Sequence, residues 1–402
     1  MNGSLLQPLA GIRVLDLSRV LAGPMCAMAL ADLGADVIKV EHPERGDDTR
    51  DWGVRIGRSN TTYFNACNRN KRSICVDLQD EAGQKLVRDI AARSDIVIQN
   101  FKHGGADKLG LGYEDLRAVN PKLIYCSISG YSVLGNEKDR PGYDLVIQGE
   151  TGLMAMNGEE GQGPLKFGIA AVDMFTGMYS AQAILAVLHE RARTGQGRHI
   201  QMSLYDSGMM ISSYYGLTAW LNQADPAKFG NSHPSIVPYG VFEAGDGPLV
   251  IAVGNNGQFR KLCESVIDCP SLPEDPRFAT NTERSRHRQE LLPILQERFK
   301  RYSRAELIEG MQRVGIPCGE VLGLYDAIRS ERTAEAKVWC EFEDSEAGTQ
   351  AVHAPPYVLD GQRAGLRRQP PHLGEHTREV LRELLDVGEA HLQSLTEKGV
   401  IG

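Results

Sequence analysis

The chain has 402 residues, 42% apolar and 24% charged, a composition ordinary for a soluble globular protein and a length that predicts two structural units. A formal net charge of −8 argues against non-specific nucleic-acid binding, yet it leaves room for a local basic pocket around an anionic ligand. Cys26, Cys67, Cys75, Cys126, Cys263, Cys269, Cys318 and Cys340 are scattered without a CxxC pair, the N-terminal MNGSLLQPLAG lacks a basic leader pattern, and no uninterrupted apolar run approaches about 18 residues. The expectation is a cytoplasmic protein with reduced thiols, no metal framework and no membrane contact.

Residues 11–43 read GIRVLDLSRVLAGPMCAMALADLGADVIKVEHP, a complete βαβ unit. An apolar strand over 12–17 precedes Pro24, which suits the first position of a helix; Gly34 ends that helix, and 37–40 form the next strand. The first turn offers only Ala22, Gly23 and Pro24, so the GxGxxG dinucleotide fingerprint fails even though Glu41 stands where a ribose-binding acid would. Strands are then predicted over 74–78, 95–99 and 123–128, with helices over 81–93 and 113–119. Such alternation predicts a Rossmann-like α/β fold: a mostly parallel sheet, covered on both faces, that binds ligands at the carboxyl ends of its strands. Asn100, Phe101 and Lys102 follow one strand, Lys108 lies beyond, and NRNKRS over 68–73 precedes another. On charge alone these are solvated surface residues.

Residues 128–154, ISGYSVLGNEKDRPGYDLVIQGETGLM, form a glycine-rich stretch carrying Tyr143 with Asp144 after it. A short apolar run over 167–172 then turns polar at Asp173, and Met174, Phe175, Met178, Tyr179, Ala183, Leu185, Val187 and Leu188 recur at helical spacing. This predicts strand end, turn and buried helix. Arg191 and Arg193 fall in the last turn, Gly195 in the left-handed C′ position, and Ile200, Met202 and Leu204 alternate as a strand. Asp173 is thereby placed at or beside a helix N-terminus, where it would accept free N–H groups and the dipole would favour its ionised form. By position it is an ordinary cap, although an ionised Asp there could also serve as a nucleophile, since carboxylates form covalent intermediates.

Composition changes after residue 215. Residues 216–231 show little pattern and read as a linker, HPSIVPYGVF over 233–242 leads into a strand at 249–253, and helices are predicted over 258–266 and 287–299. Taken alone, His233 beside a proline is structural and Gly254-Asn255-Asn256-Gly257 is a hairpin turn. Helices over 377–385 and 389–397 close the chain.

The string VDMFTGMYSAQAILAVLHERARTGQGRHIQMSLYDS resembles the active-site segment of the class III CoA-transferases. In that family an Asp, two residues and Thr-Gly open a long helix that ends in a TGxG turn; Asp173, Thr176 and Gly177 match, as do Thr194, Gly195 and Gly197. LDLSRVLAGP, GADVIKVEHP, NRNKRS, the Asn100-Phe101 strand end, IPCGEV over 316–321 and LGEHT over 373–377 are similar to further family segments, in order, from about residue 8 to 395. The resemblance implies that Asp173 is the nucleophile. It implies coenzyme A contacts at Leu21, Ala22, His42, Val76, Leu78, Gln79, Asn100, Phe101, Lys102, Lys108 and Tyr143. His42 and Gln79 stand where relatives often carry Arg and Lys, which removes fixed positive charge. The loop of Gly254, Asn255, Asn256 and Gly257 would bring backbone N–H groups to an acyl oxygen and cover a reactive intermediate, with His233 as a further candidate.

The fold implied is a large domain (1–215 and 326–402) with a smaller α+β domain and linker (216–325), in an interlocked, ring-like homodimer. No tightly bound cofactor and no metal is implied; coenzyme A and acyl-CoA are substrates. The activity implied is transfer of CoA from succinyl-CoA to a short dicarboxylic acid such as glutarate, itaconate or mesaconate, through an aspartyl-CoA thioester, because NSHPSIVPY over 231–239 and the short glycine loop look most like the dicarboxylate branch. His233, Ser235, Tyr239, Asn255 or an Arg of the 45–58 region would hold the second carboxylate. Two rivals stay open: an acyl-CoA racemase on the same fold, against which stands Tyr143 in place of a His, since a phenol of pKa about 10 is a poor base, and a non-catalytic acyl-CoA-binding protein.

Overall fold

The computed structural model describes residues 7–402; residues 1–6, part of the stretch read for a leader, lie outside the described residues. The chain divides into two compact units, one running up to Met154 and including Lys166–Leu217 and Glu331–Gly402, the other made of Ala155–Leu165 and Thr218–Ser330.

In the first unit β1 (Arg13–Asp16), α1 (Ala22–Asp32), β2 (Asp36–Glu41), β3 (Lys71–Cys75), α2 (Glu81–Ala91), β4 (Ile96–Gln99), α3 (Tyr113–Val119), β5 (Ile124–Ser129), α4 (Asp144–Glu150), α5 (Ala171–Thr194) and β6 (His199–Ser203) follow one another, with α6 (Leu204–Ile211) directly after. The strands form one sheet in the order β3-β2-β1-β4-β5-β6, every pairing parallel. Strands such as Ile96–Gln99 are buried at every position, as a sheet covered on both faces requires. Leu15, Ile38, Ile74, Val97 and Tyr125 pack with Val87 and Ile90 of α2 and Leu116 of α3. Val380, Leu381, Leu392 and Leu395 from the helices Thr377–Leu385 and Glu389–Glu397 join the same core, so the C-terminal segment returns to the first unit.

Three local expectations change. β3 starts at Lys71 rather than 74, and the NRNKRS stretch is interior: Arg69 pairs with Asp32 at 2.5 Å, Lys71 with Asp16 at 2.9 Å, and Arg72 with Asp36 at 2.7 Å and Glu379 at 3.0 Å. Its acidic partners come from distant segments, which local charge density does not reveal. The run 167–172 is no strand; the Phe167 N–H donates to Gln148 Oε1 at 2.9 Å, and the helix begins at Ala171. The 216–231 linker is partly helix, Ser213–Asn222, which went unseen because its apolar residues Tyr214, Leu217, Trp220 and Leu221 point outward from this chain.

α5 is likewise less buried than its periodicity predicts. Val172, Thr176, Gly177, Ser180, Ala181 and Ile184 are buried, whereas Phe175, Met178 and Leu185 are exposed. By length and composition alone this helix would also span a bilayer. Its inner face lies on α1: a Cβ at position 177 would stand 2.6 Å from the Ala22 carbonyl oxygen, so only glycine permits the approach. Gly195 ends the helix at φ 70, in the left-handed C′ position.

In the second unit β7 (Tyr239–Ala244), β8 (Gly247–Ala252) and β9 (Cys318–Glu320) form an antiparallel sheet in the order β9-β8-β7. β7 alternates exposed and buried residues strictly, the mark of a sheet covered on one face. Phe242, Leu249 and Ile251 pack there against Phe259, Leu262, Leu291, Leu295, Phe299, Leu307 and Met311.

A candidate active site at the strand-order switch

Strand order reverses between β1 and β4, and sheets of this order bind ligands in the crevice at the carboxyl ends beside that point. Two cavities open there. One, of about 340 Å³, is lined by Val20, Leu21 and Ala22 after β1, by Asn100, Phe101 and Lys102 after β4, and by Tyr143 and Asp173. The other, of about 580 Å³, is lined by His42, Arg45, Val76, Leu78, Gln79 and Lys108. Arg19, Asp48, Phe101 and Lys102 belong to both walls, so the cavities adjoin. Every residue of the sequence-based coenzyme A set lines one or both.

Asp173 is the third residue of α5 and caps nothing. That task belongs to Asp144, the first residue of α4, whose Oδ1 accepts the N–H groups of Val172 at 2.8 Å and Asp173 at 3.3 Å. Gln148, one turn along α4, donates to the other Asp144 oxygen and so fixes the carboxylate. The helix dipole was expected to favour ionised Asp173, but the net shift runs the other way. Burial first, and the Asp144 charge second, push the Asp173 carboxyl up to about 7. A carboxylate this basic is a stronger nucleophile than an ordinary aspartate, at the cost of being partly protonated at neutrality.

The other residues divide into those with committed side chains and those without. His42 Nδ1 accepts the N–H groups of Glu44 at 3.2 Å and Arg45 at 3.4 Å, leaving the ring proton on Nε2. Asn100 is spent at both ends on the backbone of Arg19, at 2.9 and 2.8 Å. The Gln79 backbone N–H donates to Asp77 Oδ1 at 2.8 Å. Lys102, Lys108 and Arg45 have no acidic partner among the described residues, whereas Arg19 pairs with Asp48 at 3.2 Å. The larger cavity therefore presents three uncommitted cations. Tyr143 is exposed at the N-cap of α4, and its side chain caps nothing.

In the second unit, residues 254–257 are not a hairpin turn but the junction of β8 with the helix Asn256–Ser265. Asn255 caps that helix by accepting the Gln258 N–H at 2.9 Å, and Gln258 Oε1 accepts the Gly254 N–H at 2.8 Å. Asn256 Oδ1 accepts the Asn281 N–H at 2.9 Å and a guanidinium N–H of the fully buried Arg284 at 3.1 Å. His233 Nδ1 accepts the Ser235 N–H at 3.1 Å, and its ring lies 5.3 Å from that of Tyr239.

Sequence reasoning passed over three residues at the first-unit site. Asp144 was noted only as the neighbour of Tyr143, although an acid at a helix start is a legible signal. Tyr63 lines neither cavity but lies within electrostatic reach of Asp173; burial first, and the Asp173 charge second, push its phenol up to about 12. Val20 adopts φ 71, which no sequence pattern betrays in a valine.

The chain matches CoA-transferase family III over residues 9–377. It is 39% identical to a succinate–glutarate CoA-transferase of Agrobacterium fabrum, covering 94% of this chain and 96% of that one. It is 36% identical to the succinyl-CoA:glutarate CoA-transferase of Homo sapiens, covering 98% of this chain and 90% of that one. A CAIB/BAIF family protein from Brucella suis, known from its crystal structure, shares 41% identity and a TM-score of 0.83 over 94% of this chain and 99% of its own. An aspartate of raised basicity at the switch point of a six-stranded parallel sheet, within a match of this extent, makes the chain a member of CoA-transferase family III.

Proposed function

We propose that the protein moves CoA from succinyl-CoA to a dicarboxylic acid of four to six carbons, glutarate first and itaconate next, with Asp173 as the covalent carrier. The observation that carries the reading is the position of Asp173: it lines a cavity that adjoins a larger one bearing Arg45, Lys102 and Lys108, cations suited to the phosphates of a CoA thioester. Arg45 is accordingly assigned to phosphate rather than to the second carboxylate of the acceptor. The names of the relatives support the choice of donor and acceptor.

In the reaction an ionised Asp173 oxygen attacks the succinyl thioester carbonyl. The C–S bond breaks, leaving a mixed anhydride and CoA thiolate. The thiolate attacks the aspartyl carbonyl, the anhydride C–O bond breaks, and succinate departs from an aspartyl-CoA thioester. A glutarate carboxylate then attacks that thioester and displaces the thiolate, which returns to the glutaryl carbonyl and releases Asp173. Water would destroy both anhydrides, so the reaction requires that it be kept from the cavity.

A homodimer is part of this reading. In the first unit Phe175, Met178, Met209, Met210 and Leu217 are exposed; in the second Trp220, Leu221, Leu324 and Tyr325 are. Apolar exposure on this scale fits burial by a second copy, and a stable monomer in light scattering would refute it. A cytoplasmic location, consistent with eight unpaired cysteines, is checked by cell fractionation.

The deciding experiment mixes the enzyme and succinyl-CoA with a panel of mono- and dicarboxylic acids and separates the resulting thioesters. Glutaryl-CoA or itaconyl-CoA is the expected product. Preference for formate, oxalate or carnitine would refute the acceptor, and exchange of the α-hydrogen without CoA transfer would favour a racemase.

A further inference from the structure

We propose that Val20 is a positioning residue, its left-handed backbone holding the head of α1 in register beside Asp173. The inference rests on the transferase reading of the cavity, since that reading supplies the reaction to be positioned. At φ 71 Val20 occupies a region that β-branched residues almost never enter, because Cβ crowds the neighbouring carbonyl. It sits in the turn between β1 and α1, where dinucleotide-binding sheets of the same strand order use glycine. A conformation so unfavourable for this side chain persists only if its surroundings impose it.

The surroundings do so from three directions. Asn100, at the end of β4 across the switch point, grips the Arg19 peptide: its Oδ1 accepts the N–H at 2.9 Å and its Nδ2 donates to the carbonyl at 2.8 Å. The Val20 N–H donates to Asp47 Oδ1 at 3.2 Å. Asp47 is buried and fixed in turn by Lys39 Nζ at 2.8 Å, by the Thr49 N–H at 3.0 Å and by the Thr49 hydroxyl at 2.8 Å. The Cys67 thiol lies 3.7 Å from the Val20 carbonyl oxygen. The clamp draws on both cavities, since Asn100 lines the one holding Asp173 and Asp47 lines the larger.

What the clamp places is the start of α1. Leu21 follows at φ −134 and ψ −57, no side chain caps the helix, and Ala22, its first residue, lines the cavity that holds Asp173. α1 has no freedom to slide along α5, because position 177, one turn past Asp173, already touches the Ala22 carbonyl. Turn, helix head and nucleophile form one rigid frame. Were residue 20 to leave the left-handed region, the turn at Val20 and Leu21 would shift relative to Asp173 while Ala22 stayed held against position 177.

The test compares Val20→Gly, Val20→Asn and Asn100→Ala with the wild type, measuring kcat and KM for succinyl-CoA with glutarate alongside thermal melting. Glycine and asparagine both enter the left-handed region readily, and with Asn100 and Asp47 in place Val20→Gly and Val20→Asn are expected to keep the turn, to hold kcat within about threefold and to melt no more than about 2 °C below the wild type. Asn100→Ala, which opens the clamp while Val20 stays, is expected to lower kcat about tenfold or more with KM within about twofold, because its side chain is spent on the Arg19 peptide. Wild-type kcat in Asn100→Ala overturns the proposal. So does a Val20→Gly variant that melts normally yet loses kcat about tenfold, since the valine side chain and not the backbone would then matter. A wild type inactive with every acid would sink the transferase reading itself, a distinguishable result.

Discussion

Two basic regions of the first unit look alike in sequence and differ in kind. The stretch 68–73 concentrates Arg69, Lys71 and Arg72, and each is answered by a carboxylate: Asp32, Asp16, and Asp36 with Glu379. Arg45, Lys102 and Lys108 are dispersed through the chain, converge on one cavity and have no acidic partner among the described residues. Charge density therefore misleads and pairing informs. Each buried pair is a set of charges in which removal of one partner strands the other, whereas uncommitted cations keep their capacity for an anionic ligand. Asp173 is the anionic counterpart of the second group: its charged neighbour is another acid, Asp144, and the result is a carboxyl near 7.

The comparison can be broken at several points. Asp173→Asn should cut transfer by about 10³-fold or more, because a neutral amide cannot carry the acyl group. Wild type treated with succinyl-CoA and then hydroxylamine should yield a hydroxamate at Asp173 by mass spectrometry; label at another residue would displace it. Asp173→Asn should also gain stability. A carboxyl raised from about 3.9 unfolded to about 7 folded makes the native state lose stability as pH climbs between those values, by on the order of 2 kcal/mol after solvent screening. Urea unfolding at pH 8 should show the variant ahead of the wild type, and at pH 4 the advantage should vanish.

Lys71→Met strands Asp16 without its cation and should cost about 3–5 kcal/mol in urea unfolding, with little change in KM for the enzyme that remains folded. Lys102→Ala and Lys108→Ala should do the reverse: unfolding within about 0.5 kcal/mol of wild type, and KM for succinyl-CoA raised about 5- to 10-fold each, less so at high salt. Equal stability losses in the two sets would erase the distinction drawn here. The smallest effect belongs to Asp144→Asn, which retains the oxygen that caps α5 but loses its charge. The acidic limb of the pH–rate profile, expected near 7 in the wild type, should move to lower pH by a fraction of a unit. An unmoved limb would leave burial as the sole cause of the raised carboxyl.

Much was legible without coordinates. The βαβ alternation of 11–43, the helix ended by Gly195, the switch-point residues 100–102 and Asp173 itself all follow from local patterns: apolar period, glycine at positive φ, and short motifs in family order. These signals report on the chain within a turn or two. Other features depend on neighbours far away in sequence. Whether 68–73 faces water or acid depended on Asp16, Asp32, Asp36 and Glu379; which group caps α5 depended on Asp144, and it left Asp173 free and hard to ionise. The left-handed Val20 exists because Asn100 and Asp47 impose it, against the preference of valine. The amino-acid order by itself determined most of the elements and the sheet class, since those are set by interactions between near neighbours, and family motifs marked Asp173 as the expected nucleophile. Only the tertiary structure decided which charges are paired, how basic Asp173 is and where the strained turn lies, because burial and Coulomb energy depend on distances that folding alone creates.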